Sequence, residues 1–390
     1  MRVDLQDLGL ESGGALLLRR AMRQLPAGER VEVAGTHDEL GLHLRVWCRA
    51  AGHEFTPAAD GTLRGILAPA AHTGRMPVER AGGVADIADN PPQHWGLAGR
   101  SATIERGGPV FDFSLTEKIA LWTDDAARLY ARAASAQWDP ETAIDWSAPI
   151  EHGDEIEDAI VQIMTYLIEN ETAALLVPAR MLARIHPHFR EVMQILAIQA
   201  ADEARHIEVF TRRALLRRDS LGLSTIGGQA SLKTLLDEPD AALAAFLLSI
   251  MGEGSFLPLL DFIHQNAPDP ITRRVARLAA TDEARHVAFG LAHLRRHAAG
   301  DSTLLARLAA ATHRRHAELA ETAGLNELVF EGLTILAAGG FSAREIAAGH
   351  AKVMQLQDDM DRARRTSLIH LGFSETQAAE LSLLHTRNFM

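Results

Sequence analysis

The sequence predicts a mainly α-helical protein, a four-helix bundle with extra helices, preceded by a small α/β sandwich. Three observations predict it. From Ser114 onward, helical periodicity dominates to the carboxyl end. Within that part the pentapeptide Asp-Glu-Ala-Arg-His occurs twice, as Asp202–His206 and as Asp282–His286, each late in a long amphipathic stretch that follows another helix-length segment. The first seventy or so residues instead alternate short strand-like and helical patterns.

In that amino-terminal part, Met1 to Leu8 alternate in strand fashion and Ser12 to Leu25 repeat with the helical period. Arg30 to Val33 read as a short strand, Asp38 to Ala50 as a helix, and Glu54 to Pro69 as a hairpin turning at Asp60-Gly61. Residues 1–70 therefore form one domain. Residues 71–112 are a connection rich in glycine and proline, with Asn90-Pro91-Pro92 and Gly107-Gly108-Pro109, and a long irregular connection in a compact protein is suited to cover the bundle. Residues 113–390 form the helical domain, its bundle spanning 151–300. Asp139-Pro140 marks a break, and Trp138 and Trp146 pack the entry to the bundle. Helices after about Gly300, including Ser342 to Ile369, wrap the core or make a dimer interface.

Residues three apart in a helix share a face, with Cβ atoms about 5–6 Å apart, so Glu203 with His206, and Glu283 with His286, can each grip one metal ion. One Glu-x-x-His is weak; two, each preceded by a helix with a carboxylate on its apolar face, form the pattern of a two-metal bundle. Those carboxylates are found by angle, at about 100° per residue. Ile156, Ile160, Ile163, Met164, Leu167 and Ala174 lie on one stripe with Glu171, while Glu169 points away, although a shifted boundary or a bulge would exchange the two. Leu243, Phe246, Ile250, Leu257 and Leu260 define a second stripe, and Glu253 sits on it. Four ionised carboxylates and two neutral imidazoles cancel two divalent cations; without metal, burial would be costly or would enforce protonation. The bland alternative is a set of ordinary helix salt bridges.

Carboxylate and imidazole suit iron or manganese, whereas structural zinc favours thiolates and the chain has one cysteine, Cys48. Glu253 is flanked by Gly252 and Gly254, and helix-interior glycine costs about 1 kcal/mol against alanine. Room beside a metal, a local bulge, or close helix packing would each explain the pair. His293 and His297 follow His286 on its side of the helix, placed to extend a path or to meet the dipole of a helix end.

The run Asn170-Glu171-Thr172-Ala173-Ala174, then Ala179-Arg180-Met181 and Asp202-Glu203-Ala204-Arg205-His206, resembles the ferritin-like di-iron carboxylate proteins, and most of all the hydroxylase subunits of bacterial multicomponent monooxygenases. The resemblance covers roughly residues 151–300. It implies a ferritin-like bundle with Glu171, Glu203, His206, Glu253, Glu283 and His286 as ligands of two iron ions, manganese being possible. It also implies that Asp202 and Asp282 accept hydrogen bonds from the ligand histidines and fix their tautomers. N-oxygenating members carry a further histidine one turn before a ligand glutamate; Gln199 and Ala279 stand there instead, which disfavours arylamine N-oxygenation. Tyr166 lies off the Glu171 face and Tyr130 is the only other tyrosine, which disfavours a stable tyrosyl radical.

The amino-terminal domain resembles the TusA-like sulfur carriers through Leu8-Gly9-Leu10 and Trp47-Cys48-Arg49-Ala50-Ala51-Gly52-His53. Ser12-Gly13 replaces the Cys-Pro of that family, and a serine hydroxyl cannot hold transferable sulfur. The domain is expected to dock a partner or help dimerise the protein, with Cys48 a small buried apolar residue.

At 390 residues and 47% hydrophobic content the chain can bury a large core. A net charge of −12 without a basic stripe argues against nucleic-acid binding. One cysteine fits a reducing compartment, the start lacks a signal-peptide pattern, and the apolar run near Ala241 to Met251 is too short to span a bilayer, so a cytoplasmic protein without membrane contact is expected. The leading expectation is a non-haem di-iron oxygenase or oxidase that uses dioxygen to oxidise a small organic substrate in a pocket lined mainly by aliphatic side chains. It would draw on an external electron donor, since neither a glycine-rich dinucleotide fingerprint nor a cluster-binding cysteine set occurs, and would act as a homodimer. The alternatives are a ferroxidase or peroxide-consuming di-metal protein, and a non-enzymatic interaction protein whose di-metal site is structural.

Overall fold

The computed structural model describes residues 1–26, 28–58, 63–69, 78–320 and 327–384. They fall into two compact units, Met1–Ala81 with Ser101–Pro109, and Gly82–Arg100 with Val110–Met390.

The first unit runs β1 (Arg2–Asp4), α1 (Ala15–Gln24), β2 (Val31–Ala34), α2 (Leu40–Ala51), β3 (Glu54–Thr56) and β4 (Gly65–Ala68). The sheet order is β1-β2-β4-β3; β1 and β2 are parallel and β4 is antiparallel to both neighbours. A parallel pair needs a crossover, which α1 supplies. Leu18 and Ala21 of α1 and Leu40, Leu44 and Cys48 of α2 share a core with Val31, Val33 and Leu67 of the sheet. This is the expected α/β sandwich. The first strand stops at Asp4, short of the expected Leu8, because Gln6 takes a positive φ of 51° and the chain turns. Residues Leu10–Gly14 form a kinked turn before α1, with Gly13 at φ 116° and the Gly14 amide donating to the Gly9 carbonyl at 3.0 Å, so Ser12 lies in that turn. The Asp60-Gly61 turn lies outside the described residues. Cys48 is fully buried, and burial pushes its thiol up to about 11, which leaves it unreactive at neutral pH.

The 71–112 stretch divides between the units. Antiparallel β5 (Val78–Arg80) and β6 (Thr103–Glu105) belong to the first. Residues 82–100 belong to the helical unit, where the Ala88 amide donates to His188 Nε2 at 2.9 Å and His186 Nε2 meets the Pro92 carbonyl at 3.1 Å. Burial and the nearby Arg100 push His188 down to about 4, so it stays a neutral acceptor.

The helical unit begins with α3 (Lys118–Leu121), α4 (Ala126–Ser135) and α5 (Pro140–Ala143), the last capped by Asp139. The long α6 (Asp154–Leu182) packs against α7 (Arg190–Ala214). After α8 (Ile226–Asp237) and α9 (Ala241–Ala245), a π-helical segment, Phe246–Gly252, leads into α10 (Glu253–Asn266), which packs against α11 (Pro270–Gly300). Asp269 caps α11 by accepting from the Thr272 amide, with Pro270 at the first helical position. The four long segments form the bundle. Around it lie α12 (Leu304–Leu319), α13 (Glu327–Ala338), α14 (Ala343–Leu371) and α15 (Glu375–Leu383), with a capping box at Ser342 and Glu345 starting α14. Both α13 and α14 pack on bundle helices, in line with the expected wrapping of the core.

Among the described residues, two helices are long and apolar enough to cross a membrane, Asp154–Leu182 and Ala241–Asn266. This corrects the shorter run expected near Ala241 to Met251: the Gly-Glu-Gly sequence interrupts the apolar composition but not the helix. The most apolar windows are 67% and 83% buried inside the protein, so bundle neighbours cover them.

One ion-pair network ties the bundle together at depth. Arg213 of α7, with no exposed surface, donates to both Glu157 oxygens of α6 at 2.7 and 3.0 Å, to Asp269 Oδ2 at 3.1 Å and to Thr272 Oγ1 at 2.6 Å; the Thr272 amide and hydroxyl donate in turn to Asp269 at 2.7 and 2.8 Å, and His152 Nε2 lies 2.7 Å from Glu157 Oε2.

Candidate metal centre

The six expected residues meet at the centre of the bundle. Glu171 comes from α6, Glu203 and His206 from α7, Glu253 from the start of α10, and Glu283 and His286 from α11; all are buried. Two overlapping groups form, Glu171, Glu203, His206 and Glu283, and Glu203, Glu253, Glu283 and His286, with ligand atoms in each group within 4.8 Å of one another. Glu203 and Glu283 stand in both groups. His206 Nδ1 lies 3.2 Å from Glu203, 3.2 Å from Glu283 and 3.5 Å from Glu171, and His286 Nδ1 lies 3.0 Å from Glu203 and 3.3 Å from Glu283. Each imidazole thus turns Nδ1 inward. Glu169 is half-buried on the opposite side, near Gly228 of α8.

The cluster's electrostatics call for positive charge. Burial, with Glu203 and Glu283 close by, pushes Glu171 well above the usual carboxylate range, and burial with Glu283 does the same to Glu253. Burial also works against Glu203, but the two imidazoles, His286 foremost, hold it below that range. Both imidazoles are raised well above their ordinary value: burial opposes their charge, but Glu171 outweighs it at His206, and Glu203 and Glu283 do so at His286. Without a cation, then, the cluster collects protons. Glu171 Oε1, Glu203 Oε1, Glu253 Oε2 and Glu283 Oε1 are buried without an oriented hydrogen-bond donor. Two divalent cations would supply both the charge and the missing partners, so the residues fit a di-metal centre.

Behind the ligand atoms the two pentapeptides pair crosswise. His206 Nε2 lies 3.2 Å from Asp282 Oδ2, and His286 Nε2 lies 3.2 Å from Asp202 Oδ2. An N–H on each Nε2 leaves the Nδ1 lone pair free to ligate. Arg205 bonds Asp202 and, at 2.9 Å, Asp282; Arg285 bonds Asp282 and lies 3.5 Å from Asp202. Gln137 donates to Asp202 at 2.8 Å, Trp138 Nε1 donates to Asp282 Oδ2 at 2.8 Å, and Arg205 lies 4.5 Å above the Trp138 ring. Sequence reasoning missed both arginines, though their recurrence at the fourth position of each pentapeptide was a signal, and it assigned Trp138 only to packing. Trp138→Phe keeps a ring but removes the donor to Asp282. Its metal affinity, read by competition with a chelator, is expected to fall about tenfold.

Glu253 follows directly on the π segment, so of the three explanations for its glycines a local bulge is present. That segment also packs closely on α11: a Cβ at Gly290 would fall 2.4 Å from Ser249 Cβ. Gln199, one turn before Glu203, donates to Glu253 Oε1 at 2.9 Å. His293 and His297 join neither group. His293 donates to the Ala120 carbonyl at 2.6 Å and is pushed down to about 4 by burial, and His297 lies 3.7 Å from Asp301 near the end of α11. Tyr166 stacks on Phe256 with ring centroids 6.1 Å apart and is likewise outside both groups.

Four helices that carry Glu, Glu-x-x-His, Glu and Glu-x-x-His around one buried cluster have the architecture of the ferritin-like di-metal carboxylate class. No protein-family model and no curated protein matches the chain. Among solved structures it is similar to R2-like ligand-binding oxidases. One variant with an aerobically reconstituted Mn/Fe cofactor is 19% identical over 66% of this chain and 94% of that one, with a TM-score of 0.46. A second variant, with an anaerobically reconstituted Mn/Fe cofactor, is 17% identical over 64% and 94%, with a TM-score of 0.48. An aerobically reconstituted form after photoconversion is 20% identical over 66% and 94%, with a TM-score of 0.45.

Proposed function

We propose that this chain is a non-haem di-iron oxygenase or oxidase that uses dioxygen to oxidise a small organic substrate. The observation that carries the reading is the buried pair of overlapping ligand groups, sharing Glu203 and Glu283 and leaving four carboxylate oxygens without donors. Bound iron would supply the redox chemistry with dioxygen. The chain's own residues do the rest. Glu171 and Glu253 would each serve one position, Glu203 and Glu283 would be shared by both, and Asp202 and Asp282 are placed to fix the imidazole tautomers. Phe210, its ring 6.2 Å from that of His206, and the surrounding helices keep bulk water out. The single cysteine is buried in the first unit, so reducing equivalents come from a separate donor protein or from the substrate.

The test is the metal content of the full chain purified after growth with iron and manganese both supplied, followed by oxygen uptake of the reduced protein. Two irons per chain and rapid oxygen consumption support the reading. Two manganese ions with peroxide consumption would replace it with peroxide chemistry, and folded protein without metal would end it.

A further inference from the structure

The two halves of the centre are built on one plan, yet they are not equal. In the first Glu-x-x-His helix, the residue one turn before the shared glutamate is Gln199; at the corresponding position of the second, one turn before Glu283, stands Ala279, fully buried and without a polar group. Gln199 is 2% exposed, and its amide spans from α7 to α10 to donate to Glu253 Oε1 at 2.9 Å. This bond has two consequences. It occupies one oxygen of Glu253 and leaves Oε2, which has no donor, as the atom free to meet a cation. Together with the Ser249 hydroxyl, which also bonds Glu253, it anchors a carboxylate at the junction of a π-helical segment and an α-helix, where Gly252 has φ −84° and ψ −83°. On the other half, Glu171 Oε1 has no donor, and Glu171 meets only side chains of its own candidate ligand group, His206 Nδ1 at 3.5 Å from Oε2 and the Glu203 carboxyl beside it. Nothing equivalent to the Gln199 amide restrains it among the described residues.

A ligand held in place before the metal arrives loses less freedom on binding, so the anchored position is the tighter one. Resting on the di-metal reading above, we infer that Gln199 is a positioning residue that makes the two metal positions unequal. The position served by Glu253 binds first and exchanges slowly. The position served by Glu171 binds second, its carboxylate having no amide from a neighbouring helix to hold it. Gln199 acts through Glu253 and does not itself need to touch a metal.

The experiment is a titration of the metal-free full chain with cobalt(II), followed by equilibrium dialysis and by the visible absorption of the bound ion. The wild-type protein should take two cobalt ions in separable steps. Gln199→Leu should weaken the tighter step about 10- to 100-fold and leave the weaker one within about twofold, the scale on which partners behind ligands act. Ala279→Gln, which offers the second half an amide at the matching position, should draw the two steps together by tightening the weaker. A thermal unfolding midpoint of the metal-free variants controls for folding, and Ala279→Gln keeps the question answerable should Gln199→Leu not fold. Equal weakening of both steps, or unchanged steps, in Gln199→Leu overturns the inference while leaving the di-metal reading intact. Wild-type protein that takes no cobalt overturns the di-metal reading, and the inference with it.

Discussion

Glu203→Ala is expected to empty both metal positions at once. Glu203 stands in both ligand groups, so its loss removes an oxygen from each and leaves three carboxylates to balance two divalent ions. Glu171→Ala removes a ligand from one group only and is expected to lower metal content without abolishing it, while Glu169→Ala, altered on the opposite side of α6, should keep the wild-type content. Elemental analysis of the three purified variants separates these outcomes. Metal also stabilises whatever it binds: at a free concentration about a thousandfold above the dissociation constant the gain is about 4 kcal/mol per site. Wild-type unfolding should therefore shift upward with added metal and that of Glu203→Ala should not. Metal retained by Glu203→Ala, or lost from Glu169→Ala, would show that the ligand set is misassigned.

The second large effect is expected far from the metal centre. Arg213→Met removes the guanidinium that pairs with both Glu157 and Asp269 while keeping most of the side-chain volume, and leaves Glu157 with His152, 2.7 Å away. Removing one partner of a buried ion pair typically costs about 3–5 kcal/mol, because the remaining charges are left without compensation. The unfolding midpoint in urea should fall accordingly. The cost should also depend on pH, with a definite sign. In the wild type, burial raises both carboxylates, but Arg213 overcomes it and holds them below their ordinary values of 4.5 and 3.8. Groups depressed by folding contribute stability that is present above those ordinary values and is lost as the pH falls through the lower folded ones. Without Arg213 only His152 at Glu157 and Thr272 at Asp269 still oppose burial, so both groups are less depressed and the variant loses less stability than the wild type as they protonate. The deficit of Arg213→Met against the wild type should therefore be larger at pH 7.5 than at pH 4.5. A deficit independent of pH would mean that the loss is one of packing alone.

Much of the centre could be read from the sequence because helical periodicity turns spacing into direction. Two Glu-x-x-His pairs, and one glutamate on the apolar stripe of each preceding helix, were enough to bring Glu171, Glu203, His206, Glu253, Glu283 and His286 to one place. What lies behind them was less legible, because it depends on the register between helices far apart in the chain. The bonds from His206 to Asp282 and from His286 to Asp202 join residues 76 and 84 positions apart, and no local pattern encodes them. In the sequence Gln199 stands out only as a position without histidine, and nothing local shows that its amide reaches Glu253 on another helix. The Phe246–Gly252 segment departs from 100° per residue, so an angular reading carried across it has no fixed phase; Glu253 was found because Leu257 and Leu260 beyond the segment keep the α-helical period with it. Arg213, Glu157 and Asp269 look like surface charges in composition and become buried only when three helices meet. In the first unit, two helices and a hairpin followed from turn residues and periodicity, whereas the short pairing of β5 with β6 joins segments separated by a stretch that has no strand pattern.

The crossed aspartates also bear on how such a protein can come into being. Each Asp-Glu-Ala-Arg-His copy supplies a ligand pair but takes the proton acceptor for its histidine from the other copy. A single helical hairpin would therefore present a histidine with no fixed tautomer, and only two hairpins facing each other complete the arrangement. In this chain that meeting is intramolecular, and the arrangement is complete only when the second hairpin has docked on the first. A chain ending before α11 would lack Glu283, which stands in both candidate groups, and His286, and is expected to retain little metal on dialysis.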